Sequence, residues 1–336
     1  MKLFQHNEPF KTEGGYLFSR LEVAYDTWGT LNEAGDNVIW VCHAMTANSD
    51  VEAWWPGFVG DGLAFDTSRY FIVCANILGS CYGTTGPLSI DPATGKPWLN
   101  SFPIITIRDI VHLHDLLRQN LGIRSIDMII GSSIGGYQAI EYSLLYPEVI
   151  RHLVFIASSA RQTPWAIAFN ESQRLSIEAD PTFFGDDQGG GGKGLRAARS
   201  IALLSYRTSY AYNKTQAEDD NEKLDSFKAS SYQDYQGDKL VKRFNAWSYY
   251  RLTQLADSHN IGRGRGGVKN ALRLVKATTL CIGIKSDILY PVDEQKFVAQ
   301  EVANGRYAEL DSFFGHDGFL IETDQVTEII KKFRDE

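Results

Sequence analysis

The segment IIGSSIGGYQAI (residues 129–140) ends an apolar run at a knot of glycine and serine and passes at once into a helical pattern. Small residues crowd the turn, and Ser133 stands at its centre, within Gly131-Ser132-Ser133-Ile134-Gly135. One reading is a nucleophile elbow, the sharp strand-to-helix turn that presents a serine hydroxyl. The plainer reading is a tight turn in which glycine supplies positive φ and serine caps the helix. Such a pentapeptide is common by chance, so its flanks have to decide. A buried-strand pattern precedes Ser133 and a helical one follows it, which favours the elbow.

Outward from the elbow, continuous apolar runs recur at residues 38–42, 70–75, 153–157 and 279–284. Runs of that kind suit strands buried on both faces. Residues 21–28 alternate instead, as an antiparallel strand near a sheet edge does. Helical patterns separate the runs. Thr106 and Asp109 have the spacing of a capping box, and behind them Ile110, Leu113, Leu117 and Leu121 form an apolar stripe. Residues 135–146 give the next helix and residues 324–334 a final amphipathic one. Buried strands alternating with helices predict an α/β fold: a mostly parallel central sheet with helices on both faces.

The rhythm breaks between residues 166 and 265. Aromatic and charged residues dominate there, a tetraglycine tract at 189–192 predicts flexibility, and residues 195–204 and 240–255 look helical. The expected organisation is a core of residues 1–165 and 266–336 with a helical insertion at 166–265. The insertion would be a lid that excludes water and touches substrate, or an ordinary helical subdomain.

Composition narrows the function. The net charge of −8, with no basic run, argues weakly against a nucleic-acid partner. The first fifteen residues lack the apolar stretch of a signal peptide, and no segment approaches a membrane span, so a soluble, cytoplasmic protein is expected. Cys42, Cys74, Cys81 and Cys281 are scattered, mostly in apolar runs, and read as free thiols of a reducing compartment rather than zinc ligands. Neither metal nor bound cofactor is indicated.

A serine hydroxyl is a poor nucleophile unless a base takes its proton. Of seven histidines, His6, His112, His114, His152 and His259 lie in terminal or helical patterns and read as surface or capping residues. His43 follows a buried strand and is a rival base. His316, in FFGHDGFL (residues 313–320), comes after the last strand signal. Between it and Ser133, Asp287 follows the 279–284 strand, where a carboxylate could hold the imidazole tautomer. Asp293 and Asp311 are substitutes less closely tied to a strand. Ser133, Asp287 and His316 stand in the chain order of an α/β-hydrolase triad, which makes the α/β-hydrolase fold the expected architecture. The oxyanion would then take the Ile134 amide and a second amide from the loop VCHAMTAN (residues 41–48), with His43 shaping that loop.

With these pieces placed, the chain resembles the homoserine O-acetyltransferases, an acyltransferase branch of the α/β-hydrolase superfamily, along nearly its whole length. The blocks that carry the likeness are HAMT (43–46), CANILGSCYGTTGPLSIDPATGKPW (74–98), FPIITIRDIV (102–111), GSSIGGYQA (131–139) and IASSARQTPWAIAFNESQR (156–174). It continues in SYR (205–207), IGRGRGG (261–267), IKSDILYP (284–291) and GHDGFL (315–320). The block at 74–98 is too long to be a chance motif and separates this branch from generic esterases. The chain departs in carrying Met45 and Ala47 where the family usually reads His-Ala-Leu-Thr-Gly, in Ser132 where Gly-Gly-Ser is commoner, and across the tetraglycine tract and residues 213–239.

The resemblance implies a triad of Ser133, Asp287 and His316, with the backbone amides of Met45 and Ile134 as the oxyanion hole. It implies that Arg207 takes the homoserine carboxylate as a two-pronged donor and Asp317 its ammonium. It further implies a ping-pong transfer from acetyl-CoA to the L-homoserine hydroxyl, on the way to methionine, by a homodimer built through the insertion. The aromatics there (Tyr206, Tyr210, Tyr212, Trp247, Tyr249 and Tyr250) would serve that interface or an internal core equally well. Relatives that use succinyl-CoA or accept serine, a serine hydrolase with the same triad, and a non-catalytic scaffold are the rival readings.

Overall fold

Eight strands form one sheet in the computed structural model, which describes residues 1–335: Lys2–His6 (β1), Leu21–Trp28 (β2), Val38–Cys42 (β3), Phe71–Ala75 (β4), Ile126–Ser132 (β5), Ile150–Ile156 (β6), Thr278–Ile284 (β7) and Gly305–Leu310 (β8). Their spatial order is β1-β2-β4-β3-β5-β6-β7-β8. The first two pairings are antiparallel and the rest parallel. In the parallel half, Val41, Ile130, Val154 and Leu280 stand side by side across four strands.

The central strands are apolar throughout because both faces are covered. In β3, Trp40 and Cys42 belong to one buried cluster, with Leu113, Leu117 and Tyr142, while Ile39 and Val41 belong to the opposite one, with Phe319, Ile330 and Phe333. Helices Ile107–Asn120 (α1) and Ile134–Leu145 (α2) thus close one face. The capping box of α1 is realised: Thr106 Oγ1 accepts from the Asp109 amide, and Asp109 Oδ2 accepts from the Thr106 amide at 2.8 Å.

Between β6 and β7 run the helices Pro164–Glu178 (α3), Gly192–Tyr206 (α4), Ser209–Thr215 (α5), Lys228–Val241 (α6) and Ala246–Asp257 (α7). The two ends of this excursion are tied at a neck, where the Gln162 amide donates to the His259 carbonyl (3.0 Å) and the Ile261 amide to the Ala160 carbonyl (3.1 Å). After β7 come Val292–Glu301 (α8) and Thr323–Asp335 (α9), the latter pressing Val326, Ile330 and Phe333 onto the sheet. No helix is long and apolar enough to cross a membrane, among the described residues.

Several elements differ from expectation. The edge strands β1 and β8 leave no apolar run in the sequence, because most of their residues stay at least partly exposed. The helix expected over 240–255 is two helices: it breaks after Val241, and Asn245 starts the second by accepting from the Ser248 amide. Trp247 and Tyr249 are buried within the chain rather than offered to a partner, whereas Tyr210 is exposed. His114 and His259, expected as surface or capping residues, are buried: the His114 ring approaches the Asn76 carbonyl, and the His259 ring stacks on Tyr137 at 3.8 Å.

The tetraglycine tract is fitted rather than loose. Gly191 sits at φ 76°, and a Cβ there would lie 2.6 Å from the Ala246 Cβ; one on Gly190 would lie 2.3 Å from the Thr182 carbonyl oxygen. Gly191→Ala combines left-handed strain with overpacking, so we expect a loss of about 2–4 kcal/mol. Denaturant unfolding of this variant beside wild type measures it, and equal midpoints would mean that the tract has room to spare.

Candidate active site

The elbow forms where the sequence crowds its small residues. Ser133 has φ 55° and ψ −125°, an unfavourable conformation for a side-chain-bearing residue, held by its amide's bond to the Ile156 carbonyl (3.0 Å) and by Ser158 Oγ donating to its own carbonyl (2.7 Å). The glycines serve close approach. A Cβ on Gly131 would meet the Gly135 carbonyl oxygen at 2.0 Å, and one on Gly135 would lie 2.1 Å from the carbonyl oxygen of Cys42, at the end of β3. Ser132 fits where a glycine was the expected residue, although its buried hydroxyl has no partner among the described residues.

Asp287 and His316 come from the loops after the neighbouring parallel strands β7 and β8, and they meet there. His316 Nδ1 donates to Asp287 Oδ2 at 2.7 Å, and Asp287 Oδ1 accepts from the amides of Leu289 (2.8 Å) and Tyr290 (3.0 Å). Both side chains are buried, while Asp293 and Asp311 are exposed and stand apart. The two loops are clamped together, since Ser286 Oγ donates to the Ser312 carbonyl (2.6 Å) and accepts from the Gly315 amide (3.0 Å). Burial by itself would lower the pKa of His316. The Asp287 carboxylate, with Asp317 beside it, outweighs burial and holds the imidazole above the ordinary value of 6.5. Ser133 Oγ has no hydrogen-bond partner among the described residues, so the serine is not closed onto His316 here; such bonds commonly tighten only once substrate binds.

His43 is excluded as a base by its bonding. Its Nδ1 meets the Ala44 carbonyl at 2.8 Å, its Nε2 accepts from the Ile77 amide at 3.2 Å, and burial pushes its pKa down to about 4. Residues 44–47 form a turn closed by the Ala47 amide on the Ala44 carbonyl (3.0 Å). Gln138 of α2 donates to the His43 carbonyl (3.3 Å), which ties this turn to the elbow helix. The turn carrying Met45 and the helix start carrying Ile134 therefore rest on one another. Neither amide has a hydrogen-bond partner among the described residues.

Arg207 follows α4, and its Nε donates to Asp317 Oδ2 at 2.7 Å. The helical excursion is seated on the His316 loop here. Thr208 Oγ1 donates to the Phe313 carbonyl (2.5 Å), and Gly315, at φ 69°, leaves only 2.9 Å between an added Cβ and the Tyr206 carbonyl oxygen. Arg207, Thr208, Tyr212 and Ile288 line a cleft of about 590 Å³. Sequence reasoning missed the buried trio behind the site: the Tyr137 hydroxyl donates to Gln162 Oε1 at 2.5 Å and lies in hydrogen-bond contact with the Tyr290 hydroxyl at 2.7 Å, linking the elbow helix to the acid loop. The apolar setting of Tyr137 and the Tyr290-Pro291 turn gave no polar signal to follow.

Comparison with known proteins agrees with the fold. The chain matches the α/β hydrolase fold family over residues 37–323. It is 45% identical over 332 residues to the homoserine O-acetyltransferase of Cyclobacterium marinum, covering 99% of this chain and 94% of that one. A solved homoserine O-acetyltransferase from Bacillus anthracis superposes with a TM-score of 0.93 at 23% identity, over 100% of this chain and 97% of the other. Esterase E22 superposes at 0.91 with 24% identity, over 99% and 98%. At such identities the likeness to solved structures shows the fold, and the fold is shared by transferases and esterases.

Proposed function

The chain belongs to the homoserine O-acetyltransferase family of α/β hydrolases, and from that footing we propose that it carries an acetyl group from acetyl-CoA to the hydroxyl of L-homoserine through an acyl-serine on Ser133. The observation that carries this reading is a pair of linked charges on consecutive residues: His316 bonded to Asp287, and Asp317 bonded to Arg207. The first pair suits acyl chemistry at a serine. The second offers a cation and a carboxylate side by side, complementary to the carboxylate and ammonium of an amino acid.

In the first half-reaction, His316 Nε2 takes the Ser133 proton while Oγ attacks the thioester carbonyl carbon. The Met45 and Ile134 amides receive the oxyanion; the C–S bond then breaks, and the proton leaves on the CoA sulfur. In the second, Nε2 deprotonates the homoserine hydroxyl, whose oxygen attacks the acyl carbon, and Ser133 Oγ departs with the proton. Transfer has to outrun hydrolysis, so homoserine must be held in line and water kept out. The helical excursion of residues 166–265, seated on the His316 loop, supports a lid role. Free buried thiols at Cys42, Cys74 and Cys281 fit a reducing, cytoplasmic setting, and exposed apolar residues of the excursion, such as Leu204 and Tyr210, fit a homodimer.

The test is CoA thiol release from acetyl-CoA and succinyl-CoA, each with and without L-homoserine or L-serine. Release that requires homoserine and favours acetyl-CoA is the expected result. Equal release without an acceptor would make the protein a hydrolase, and a preference for succinyl-CoA or serine would move it to a neighbouring branch.

The pH profile follows from His316. Only the neutral imidazole accepts the serine proton, and the carboxylates beside it favour the charged form. Activity should therefore fall as pH drops, through an ionisation lying above the ordinary histidine value of 6.5. A limb well below 6.5 in kcat/KM would contradict the assignment.

A further inference from the structure

The turn of residues 44–47 is held from two sides. On the core side, His43 and Gln138 fix it as described. On the other side stands Arg243, an exposed residue in the loop between α6 and α7. Its Nη1 donates to the Thr46 carbonyl and to the Tyr82 hydroxyl (2.5 Å), and its Nη2 lies 3.4 Å from Thr46 Oγ1. All three acceptors are uncharged. The loop carrying Arg243 is itself fastened: Cys81 Sγ approaches the Arg243 carbonyl at 3.5 Å, and the neighbouring Phe244, buried, meets the Tyr82 ring edge-on at 5.7 Å. Asn76 completes the circuit, donating to the Tyr82 carbonyl (2.9 Å) and accepting from the Ser49 amide (2.9 Å).

We propose that Arg243 is a positioning residue for acyl transfer, through which the helical excursion holds the Met45 turn in the shape that receives the oxyanion. This rests on the reading of Ser133 and Met45 given above. The reason is geometric. The Thr46 carbonyl lies two peptides beyond the Met45 amide, within the same tight turn, so releasing it lets the turn rotate, and a donor helps only when it is already aimed where charge develops. A planar guanidinium can hold the carbonyl and the tyrosine hydroxyl at once, which a lysine ammonium does less well. The excursion then does more than cover the site, because its docking completes the electrostatics of the first chemical step.

The experiment follows the burst of p-nitrophenolate from p-nitrophenyl acetate, a donor without any CoA, in wild type, Arg243→Met, Arg243→Lys and Ser133→Ala. Steady-state acetyl transfer and thermal unfolding are measured beside it. Arg243→Met should slow the burst about 10- to 100-fold, the scale of a misplaced reacting group, and lower kcat for acetyl transfer by the same factor. Both KM values and the melting temperature should hold, and Arg243→Lys should recover part of the rate. A raised KM for acetyl-CoA with a wild-type burst rate would overturn the proposal and make Arg243 a contact to the CoA phosphates. A smaller burst amplitude at unchanged rate, or no change at all, would also overturn it. A burst that survives in Ser133→Ala would overturn the acyl-serine reading itself, and this proposal with it.

Discussion

Ser133→Ala should lower kcat by about a million-fold, the scale seen when a triad nucleophile is removed, while the protein folds as before. The loss is large because, in the proposed mechanism, every step passes through the acyl group on Oγ. The fold survives because alanine keeps the Cβ at φ 55° and Oγ has no partner among the described residues whose loss would be felt. Mass spectrometry after mixing with acetyl-CoA in the absence of homoserine gives a second readout: the wild type gains one acetyl group and the variant none. An acetylated variant, or turnover within tenfold of wild type, would move the nucleophile elsewhere.

The second large effect is expected at Asp287. Asn in its place keeps an oxygen for the Leu289 and Tyr290 amides, so the loop has no reason to unfold. It puts an amide donor against His316 Nδ1, however. The ring then carries its proton on Nε2, the atom that has to accept from Ser133, and kcat should drop about ten-thousand-fold. The same exchange removes the main charge that raises the His316 pKa, so the acid limb of whatever activity remains should move to lower pH. A variant with near-normal rate, or with an unmoved limb, would show that the carboxylate is not the partner that matters. Comparing this shift with that of Asp317→Asn separates the two charges, since Asp317 acts at longer range and bonds Arg207 instead.

The parts of the fold that the chain announces are those whose physics is local. A strand buried on both faces has to be apolar throughout, so β3, β4 and β7 could be read nearly to their ends, and β5 and β6 over their most buried residues. A capping box is fixed by residues three apart, and Thr106 and Asp109 form it. The elbow needs a residue under strain between residues with no room for side chains, and the glycine pattern says so. Edge strands lack this necessity. β1 and β8 pair through their backbones while most of their side chains see solvent, and nothing in their composition betrays them. The same holds for Trp247 and Tyr249, since an aromatic residue reads alike whether it faces a partner or its own core.

For the site, sequence by itself proposed the cast: a serine on an elbow, an acid after the 279–284 run and a histidine later in the chain, in the order of an α/β-hydrolase triad. Sequence already favoured Asp287 over Asp293 and Asp311, and His316 over His43, but only by their places after strand signals and by family resemblance. The tertiary structure adds the contacts that the chain could not display: His43 has both ring nitrogens engaged, while Asp287 reaches across to His316. The ties from Gln138 and Arg243 to the Met45 turn likewise cross 95 and 197 residues of chain. Sequence encodes what a residue must be because of its immediate neighbours. Which distant groups share a charge, a proton or a carbonyl is decided only when the sheet brings its strand ends together.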